Sequence, residues 1–443
     1  MSTALKQVVT TPRISRDAYL SRDLLQKEKD VLWPQVWQVA GRIEEIPNPG
    51  DFITYDIADD SIIVVRSQDG LIKAYHNVCP HRGRQLAEGC GHASQFRCRY
   101  HGWTFNLDGK NVHVQERQDW GGELTDDEIA LHAVKVDTWG GFVWINMDPK
   151  SESLADYLET VPSFLDPFEY ENMRYRWYLE LKLPCNWKVA MEAFMEGYHV
   201  ATTHPQILTI QGDDLTQSYA HGKHAQFGYF EPKVPLGLPS PRLNEATPSD
   251  PRPGIIEFFR QMEEDLGAIF SQRDFEASKQ IMDVLPPDVD AATAFGAAVE
   301  LGRAAAEADG AGYPPNLDYE KLAAAGADWH IFPNNVTLPW FDGAVWYRAR
   351  PNGDDPDTCI FNIWSLVRYG PGAEPPLERK VIHDVTGHDF GLIVNQDIAN
   401  MGAVQKGMKS RAFAFARPNP VQEVELMNFH RVLEAYLTGA IRA

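Results

Sequence analysis

The sequence has few cysteines, no long apolar run and a shortage of basic residues. The chain has five cysteines in 443 residues, of which Cys90, Cys185 and Cys359 are widely scattered, and they do not make a disulfide framework, which favours a reducing compartment. No stretch approaches the ~18 consecutive apolar residues of a membrane helix, and the first residues lack the apolar run of a signal peptide. Acidic residues outnumber basic ones by 62 to 41, which disfavours nucleic acid and anionic membranes as partners. We therefore expect a cytoplasmic protein.

Two short segments each combine one cysteine with one histidine. The first is Cys79-Pro-His81 and the second, sixteen residues further on, is Cys98-Arg-Tyr-His101. Such mixed segments suit a [2Fe-2S] cluster in which two thiolates hold one iron and two imidazoles hold the other. Because neutral imidazoles raise the reduction potential of the cluster, it can accept electrons from a ferredoxin and pass them on. The sequence therefore predicts an electron-relay protein.

A structural zinc site is the alternative, because four Cys and His residues also bind zinc. Zinc fingers commonly place like ligands close together, as Cys-x2-Cys and His-x3-His. Here each segment contains one ligand of each kind. The spacing therefore favours the iron-sulfur cluster over zinc.

The residues around both segments strengthen this interpretation. NVCPHRGR and RCRYHGW resemble the cluster loops of Rieske proteins. Respiratory-chain Rieske proteins carry an additional cysteine in each loop, whereas this chain has Arg84 and Tyr100 at the corresponding places. The resemblance is thus to the Rieske domains of oxygenases and their ferredoxins.

The chain is much longer than the ~100 residues that a small cluster domain needs, so at least one further domain is expected. Residues 1–39 predict an N-terminal helical segment that packs with the later domain, with a helix over 21–38 interrupted near Pro34. Short β-rich runs predict an antiparallel cluster domain over residues 40–150; they lie at 51–55, 61–66, 71–75, 134–139 and 141–147.

Residues 151–443 mix helical and strand patterns and are expected to form the second domain. Helices are predicted at 187–200, 291–308, 319–327 and 420–440, and strands at 174–183, 335–338, 344–350 and 359–369. Polar, proline-rich connections fill much of the remainder. We expect the segment 205–345 to supply a substrate pocket and its lid.

The segment Asn186–Pro205 (NWKVAMEAFMEGYHVATTHP) contains a candidate iron site. Its acidic residues and first histidine recur at helical spacing, so a helix would place Glu196 and His199 on one face. His204 lies about 140° around such a helix, so both histidines can share an ion only if the helix ends or loosens between them. Two histidines and one carboxylate suit Fe(II) that reacts with O2 and keeps positions open. Because His-x4-His also occurs by chance, the upstream cluster motif is what favours this interpretation.

The same segment resembles the iron-binding segment of Rieske non-haem iron oxygenases, of the aromatic-ring-hydroxylating type. Asn-Trp-Lys, an acidic residue three before the first histidine, Tyr-His and His-Pro all recur there. Three polar-flanked aspartates, Asp384, Asp389 and Asp397, are candidates for the third ligand. The family places this carboxylate on a late helix, which favours Asp397 in QDIANMGAVQKG.

Glu196 departs from the usual pattern of the family. Ring-hydroxylating dioxygenases carry Asp at this place, which links the iron site to a cluster histidine of the neighbouring subunit, and the resemblance implies the same coupling role for Glu196. Glutamate also occurs here in relatives that oxidise quaternary ammonium compounds. Ala193, where many ring hydroxylases have Asn, points the same way.

The resemblance implies an α+β protein: an all-β Rieske domain followed by a catalytic domain with an antiparallel sheet flanked by helices. It implies a homotrimer, alone or with β subunits, that receives electrons from NAD(P)H through a reductase, directly or through a ferredoxin. The expected reaction is O2-dependent hydroxylation of an aromatic or apolar organic substrate at mononuclear Fe(II). Whether it is a monooxygenase or a dioxygenase is left open.

Two other functions stay open at this point. A quaternary-ammonium monooxygenase would hold its cation in an aromatic cage, for which the chain has enough Trp and Tyr. An electron-transfer Rieske protein without catalytic iron would contain two irons per chain instead of three.

Overall fold

The computed structural model describes residues 13–441, which divide into two compact units. The N-terminal unit comprises Leu25–Tyr157 and the residues from Ala435 onward, and the C-terminal unit comprises Leu158–Glu434 and the residues up to Leu24. Within the described residues, no helix combines the length and apolar character needed to cross a membrane. The exact domain boundaries expected from the sequence stay a prediction.

The N-terminal unit is made of short antiparallel strands, as their alternating apolar residues and turn residues predict. They are β1 (Gln38–Arg42), β2 (Asp51–Ile57), β3 (Asp60–Arg66), β4 (Ile72–His76), β5 (Cys90–His92), β6 (Gln95–Arg97), β7 (Thr104–Asn106), β8 (Asn111–His113), β9 (Ala133–Trp139) and β10 (Phe142–Asn146). One sheet has the order β1-β10-β9-β4-β3-β2-β5, and the other has the order β6-β7-β8. The strand predictions for this region are therefore confirmed.

An apolar core lies beneath the cluster loops of this unit. Phe96, Trp103 and Phe105 are buried in it, together with residues of β3 and β4. Cys79 and Cys98 belong to the same buried cluster. Both loops are thus held against packed side chains, which restricts their movement.

The C-terminal unit is organised around an eight-stranded sheet. Its strands are β11 (Arg174–Leu183), β12 (Gln217–His221), β13 (His224–Gly228), β14 (Asp328–Ile331), β15 (Asn335–Pro339), β16 (Gly343–Asn352), β17 (Asp355–Val367) and β18 (Arg379–Ile382). They follow the order β12-β13-β14-β15-β16-β17-β11-β18, and every pair is antiparallel except β11 with β18. The long pair of β16 and β17 is buried almost throughout.

Helices lie before, between and after these strands along the chain. They are α1 (Asp17–Leu20), α2 (Val161–Leu165), α3 (Trp187–Glu192), α4 (Val200–Thr203), α5 (Arg252–Arg260), α6 (Gln272–Ser278), α7 (Ile281–Val284), α8 (Ala291–Ala308), α9 (Tyr319–Ala325), α10 (Leu392–Met408) and α11 (Val424–Thr438). A π-helical turn, Gln261–Leu266, continues α5 and ends at Gly267, whose φ of +71° suits glycine. Two further helices, Arg22–Lys27 and Leu154–Leu158, lie where the chain passes between the units, and the first continues to Leu32 before Pro34. The predicted α+β fold class is confirmed.

Candidate cluster and iron sites

Two loops of the N-terminal unit repeat one backbone arrangement. In the first loop the Cys79 N–H donates to the carbonyl of Arg84, and the Gly83 N–H donates to the carbonyl of Cys79. In the second loop the N–H groups of Cys98 and Gly102 make the equivalent bonds, to Trp103 and Cys98. Both glycines have positive φ, +76° and +73°, which a side chain would strain. The two cysteines are therefore presented by matching turns.

The four side chains expected to hold a cluster lie together at these turns. Cys79 and Cys98 are buried and their thiols are in contact. The rings of His81 and His101 lie 4.5 Å apart, and His81 stacks on Trp103 at 4.9 Å. Sequence reasoning did not find the contribution of Trp103, although its place inside the RCRYHGW motif was a signal.

The environment of these side chains fits a cationic metal cluster. Burial, and then the neighbouring thiol of Cys98, raise the pKa of Cys79 to about 11, so the Cys79 thiol resists ionisation unless a cation is present. Nδ1 of His101 is buried and makes no hydrogen bond within the described protein. Two paired thiols beside an uncommitted imidazole nitrogen are the donor set that an iron-sulfur cluster of mixed ligation requires.

The candidate iron segment begins with a capped helix and then departs from helical geometry. The Asn186 side chain accepts a hydrogen bond from the Lys188 N–H at the start of α3 and donates to the carbonyls of Tyr19 and Pro356. The continuous helix predicted for 187–200 is wrong in its second half, because α3 ends at Glu192.

Local chemistry disfavours helix over the residues just before His199. Gly197 has poor helix propensity, and the Glu196 carboxylate accepts a hydrogen bond from the backbone N–H of His199 at 2.9 Å. The short helix α4 then begins after His199 and ends at Thr203. Pro205 disfavours helical geometry at His204, which leaves the helix with φ −120° and ψ 58°. This break lets the two histidines face one point.

Asp397 meets both histidines across the fold. One ligand atom from each of His199, His204 and Asp397 lies within 4.8 Å of the others, and no other such group of three occurs among the described residues. Asp397 Oδ1 is 3.0 Å from His204 Nε2 and 3.7 Å from His199 Nε2. Asp397 is carried by α10, which packs against the start of this segment at α3. The arrangement supplies two nitrogens and a carboxylate, the donor set of a non-haem Fe(II) site.

Each histidine is oriented by a second side chain. His199 Nδ1 lies 2.8 Å from Glu196 Oε1, and His204 Nδ1 lies 2.7 Å from Gln396 Oε1. Both Nδ1 atoms are thereby committed, and both Nε2 atoms are left for a metal. Although burial favours a neutral ring, the hydrogen bond and charge of Glu196 raise the pKa of His199. Gln396 was missed in the sequence; its place beside Asp397 was the available signal.

The other aspartates lie elsewhere. Asp384 and Asp389 are exposed and accept hydrogen bonds from the backbone N–H groups of Thr386 and Gly391. Of the three candidates, the structure therefore brings Asp397 to the histidines. Glu192 also points away from them, because its carboxylate pairs with His430 at 2.6 Å and with Tyr19 at 2.9 Å.

A cavity of about 430 Å³ opens at this site, within the ~300–1,000 Å³ usual for small-molecule pockets. Glu196, His199, His204 and Asp397 form part of its wall. Most of the remaining wall comes from residues between 205 and 345, as the sequence led us to expect. The wall is mostly apolar and includes Phe194, Phe227, Phe258, Phe270, Phe295, Trp340 and Tyr347.

A second cavity, of about 370 Å³, shares Glu196, His199 and Asp397 with the first. Glu192 and Glu423 also line it. Burial is the main cause that raises the pKa of Glu423 to about 7, and the charges of Glu196 and Glu192 act in the same direction. The candidate iron site thus has an apolar side and an acidic side.

Two protein families match this chain. Residues 36–130 match the family described as the Rieske [2Fe-2S] domain, and residues 168–439 match the ring hydroxylating alpha subunit, catalytic domain. The second match covers more than half of the chain. It includes both histidines and Asp397, and the first includes the two cluster loops.

Curated relatives and solved structures agree with this assignment. The glycine betaine monooxygenase oxygenase subunit of Chromohalobacter salexigens is 35% identical over 86% of this chain and 77% of its own length. That of Pseudomonas aeruginosa is 30% identical over 46% of this chain and 47% of its own length, so the chain spans about half of that relative. The crystal structure of the quaternary ammonium Rieske monooxygenase CntA with L-carnitine shares the fold, with a TM-score of 0.65 and 18% identity over 98% of this chain and 99% of CntA.

The family matches and the 35% identity over 86% of the chain establish the family that the geometry of the two sites indicated. The family carries a [2Fe-2S] cluster and a mononuclear iron, and the residues present at both places fit those groups. This chain belongs to the Rieske oxygenases, as a ring-hydroxylating alpha subunit with a Rieske domain and a catalytic domain.

Proposed function

We propose that this chain is the oxygenase component of a Rieske system that hydroxylates an organic substrate with O2. Cys79 and Cys98 hold one iron of the cluster, and His81 and His101 hold the other. His199, His204 and Asp397 hold mononuclear Fe(II). The observation that carries this proposal is the convergence of the last three residues on the wall of an apolar cavity large enough for a substrate.

The chain's own residues prepare this site for chemistry. Bound Fe(II) with two nitrogens and a carboxylate supplies O2 activation, with positions left for O2 and substrate. Glu196 and Gln396 hold the two imidazoles by Nδ1 and so keep Nε2 directed to the metal position. The apolar wall excludes water and favours an apolar part of the substrate.

Electrons reach the site from outside the chain under this proposal. NAD(P)H supplies two electrons through a reductase, directly or through a ferredoxin, and the cluster relays them. We propose a homotrimer, alone or with β subunits, in which Glu196 couples the iron site to the cluster of a neighbouring subunit. A solved relative is described as giving insight into inter-subunit electron transfer, which supports this arrangement.

For the substrate we favour a quaternary ammonium compound and monooxygenation. The relatives named above act on glycine betaine or are described as quaternary ammonium monooxygenases, so they support this alternative better than the aromatic substrate first expected from the sequence. Aromatic faces attract such cations, and the cavity wall provides several. Glu196 and Ala193, which depart from the dioxygenase pattern, agree with this choice.

A neutral aromatic or otherwise apolar substrate is the second candidate. One specific observation favours it, namely that most of the cavity wall is hydrocarbon. Such a wall stabilises any apolar molecule of suitable size.

Turnover with labelled oxygen tests the proposal. The purified holoenzyme is supplied with a reductase, NADH and candidate substrates of both classes under 18O2, and products are identified by mass spectrometry. We expect one 18O atom per product molecule from a quaternary ammonium compound, with O2 uptake matched to product. Two 18O atoms in an aromatic diol would favour the second candidate.

Metal analysis tests the electron-carrier alternative in the same preparation. Three irons per chain are expected for the oxygenase. Two irons per chain and no oxygenated product would favour an electron-transfer protein.

Mixed assembly tests the coupling between subunits. Cys79→Ala removes the cluster and Asp397→Ala removes the mononuclear iron, so each variant alone should be inactive. When both are assembled together, activity should return in proportion to the mixed assemblies, because an intact cluster on one subunit can face intact iron on the next. If both variants assemble and no activity returns, transfer runs within one chain.

A further inference from the structure

The wall of the substrate cavity contains carboxyl groups but no basic side chain other than the two candidate iron ligands, His199 and His204. Its ionisable carboxyl groups belong to Glu196, Asp328 and Asp397, and none of the described residues that line it is Lys or Arg. Uncharged polar groups are contributed by Gln211 and Tyr229. The wall therefore contains no side-chain cation that could pair with a substrate carboxylate.

Basic residues near the cavity are already paired. Arg260 lies just before the wall residue Met262 and bonds Glu257 at 2.7 Å and Asp265 at 2.9 Å. Arg176 bonds Glu263 at 2.8 Å. Turning either guanidinium toward a ligand would leave these carboxylates without their partners.

The metal charge does not change this conclusion. Fe(II) at this site would be held by Asp397, with the Glu196 carboxylate against His199, so its charge would face these two carboxyl groups. Burial, and then the neighbouring Glu425, raise the pKa of Asp328 well above its usual range. With iron bound, the wall would still offer no Lys or Arg side chain to a substrate anion.

Four aromatic side chains form a group on the cavity wall. Phe270 contacts Trp340 edge to face at 4.3 Å and Phe258 at 5.4 Å, and Phe295 lies 6.1 Å from Trp340. Their rings are steeply inclined to one another, at 63° to 87°. Phe259 stacks on one face of Phe270 at 4.4 Å, so that face is covered. Because the rings of the group differ in orientation, their remaining π faces point along more than one axis, which suits a quaternary ammonium group.

We propose that the substrate of this cavity is a quaternary ammonium cation that carries no carboxylate, with its cationic group held by the group of Phe258, Phe270, Phe295 and Trp340. The proposal rests on the proposed function and makes its substrate class narrower. It separates this chain from the relatives named for glycine betaine and carnitine, both of which are zwitterions with a carboxylate. A carboxylate placed in this cavity would lose its hydration without gaining an ion pair.

Binding of four matched probes to the anaerobic holoenzyme tests the proposal independently of turnover. The probes are benzyltrimethylammonium, its para-carboxylate, the methyl ester of that acid, and neopentylbenzene, in which carbon replaces the charged nitrogen. Isothermal titration calorimetry measures Kd. We expect the carboxylate to bind more than about a hundredfold more weakly than the parent cation, and the ester to recover most of that loss. Neopentylbenzene should bind roughly tenfold more weakly than the cation.

Variants of the cavity wall test which residues cause these differences in binding. Trp340→Leu should remove the preference for the cation over neopentylbenzene, whereas Leu338→Ala, the matched apolar control, should weaken both probes alike. Gln211→Arg supplies the missing cation and should strengthen binding of the para-carboxylate at least about tenfold. Leu236→Lys provides the same test from another part of the wall if Gln211→Arg loses the cluster spectrum or the native Tm.

The outcomes separate the two proposals. The inference is wrong if the para-carboxylate binds as tightly as benzyltrimethylammonium or more tightly. It is also wrong if none of the four probes binds. If neopentylbenzene binds as tightly as benzyltrimethylammonium, the inferred preference for a cation is wrong and a neutral apolar substrate is favoured. If the binding order is as expected but no probe is oxygenated, the ligand class inferred for the cavity stands, whereas the proposed turnover of this class fails.

Discussion

The two candidate metal sites are assembled in different ways. All four residues assigned to the cluster lie between Cys79 and His101, in two loops that repeat one hydrogen-bond pattern. The iron site joins residues far apart in the chain, since Gln396, which orients His204, is 192 residues away from it. The cluster site is therefore defined by local geometry, and the iron site depends on how α10 packs against the segment after α3.

This difference predicts different sensitivities to mutation. A single change at the cluster removes one of only four ligands but leaves the sheet of the C-terminal unit untouched. At the iron site, the ligands and the side chains that orient them can be changed separately, so effects of graded size are expected.

Removing one cluster thiolate should abolish turnover. Cys79→Ala leaves three ligands, so the [2Fe-2S] cluster should be lost together with its visible absorption and its electron spin resonance signal on reduction. The mononuclear iron should remain at about one per chain. Cys90→Ala, which changes an exposed cysteine of β5, is the control and should keep the cluster. A variant that keeps the cluster spectrum without Cys79 would contradict the ligand assignment.

Asp397→Ala should also abolish product formation while leaving the cluster spectrum intact. The variant lacks the carboxylate that converges with His199 and His204, and Glu196 is committed to His199 Nδ1, so mononuclear iron should fall from about one per chain to nearly none. Metal analysis and O2 uptake measure both effects. Asp384→Ala is the matched control on an exposed aspartate. If the control loses iron and Asp397→Ala stays active, the third ligand has been assigned wrongly.

Glu196→Gln should reduce turnover by roughly a hundredfold or more with both metals still bound. The change keeps the size of the side chain but removes the charge that faces His199 Nδ1 and that we propose couples the iron to the neighbouring cluster. Stopped-flow measurement of cluster oxidation by O2 in the presence of substrate locates the slow step. Unchanged cluster oxidation would exclude a role for Glu196 in electron transfer.

Gln396→Ala should weaken iron binding or activity by roughly 10- to 100-fold, because His204 loses the partner that orients its ring. Titration of apoprotein with Fe(II) under anaerobic conditions measures the affinity. Gln396→Glu, which restores an acceptor to Nδ1, should recover most of it. Asn400→Ala is the control, because Asn400 lies on α10 with Gln396 and its side chain makes an exposed hydrogen bond to Thr203. Equal effects of the alanine changes at 396 and 400 would argue for a merely structural role.

The smallest expected effect is a pH-dependent change in stability from Glu423→Gln. The pKa of Glu423 in the fold is about 7, above its usual range, so its protonation contributes stability that is present below the unfolded pKa of ~4.3 and is lost as pH rises through about 7. Relative to the native chain, the variant should therefore gain Tm between pH 5 and pH 8. Glu245→Gln, at an exposed glutamate, should show no such trend. A constant Tm difference would contradict the raised pKa.

Much of the fold and the residues of the candidate cluster site could be predicted from the sequence. The cysteine-histidine segments indicated the cluster loops, because their ligands are close in the chain and need only a turn with a glycine of positive φ. The strands of the N-terminal unit and the helix Ala291–Ala308 also appeared where the patterns predicted them, since alternation and helical spacing record which face is buried. The resemblance to Rieske oxygenases also predicted the fold class and identified Asn186–Pro205 as a candidate iron-binding segment.

Other features were decided only in three dimensions. The helix predicted for 187–200 stops at Glu192. Before His199, helix is disfavoured because the Glu196 carboxylate accepts a hydrogen bond from the His199 N–H and because Gly197 has poor helix propensity. The choice among Asp384, Asp389 and Asp397 depended on packing of α10, and the role of Gln396 depended on the same contact. The charge and aromatic character of the cavity wall came from side chains scattered between residues 193 and 397. Local sequence determines what each segment can form, but only tertiary packing brings distant side chains to one point, and both the iron site and substrate selection depend on that convergence.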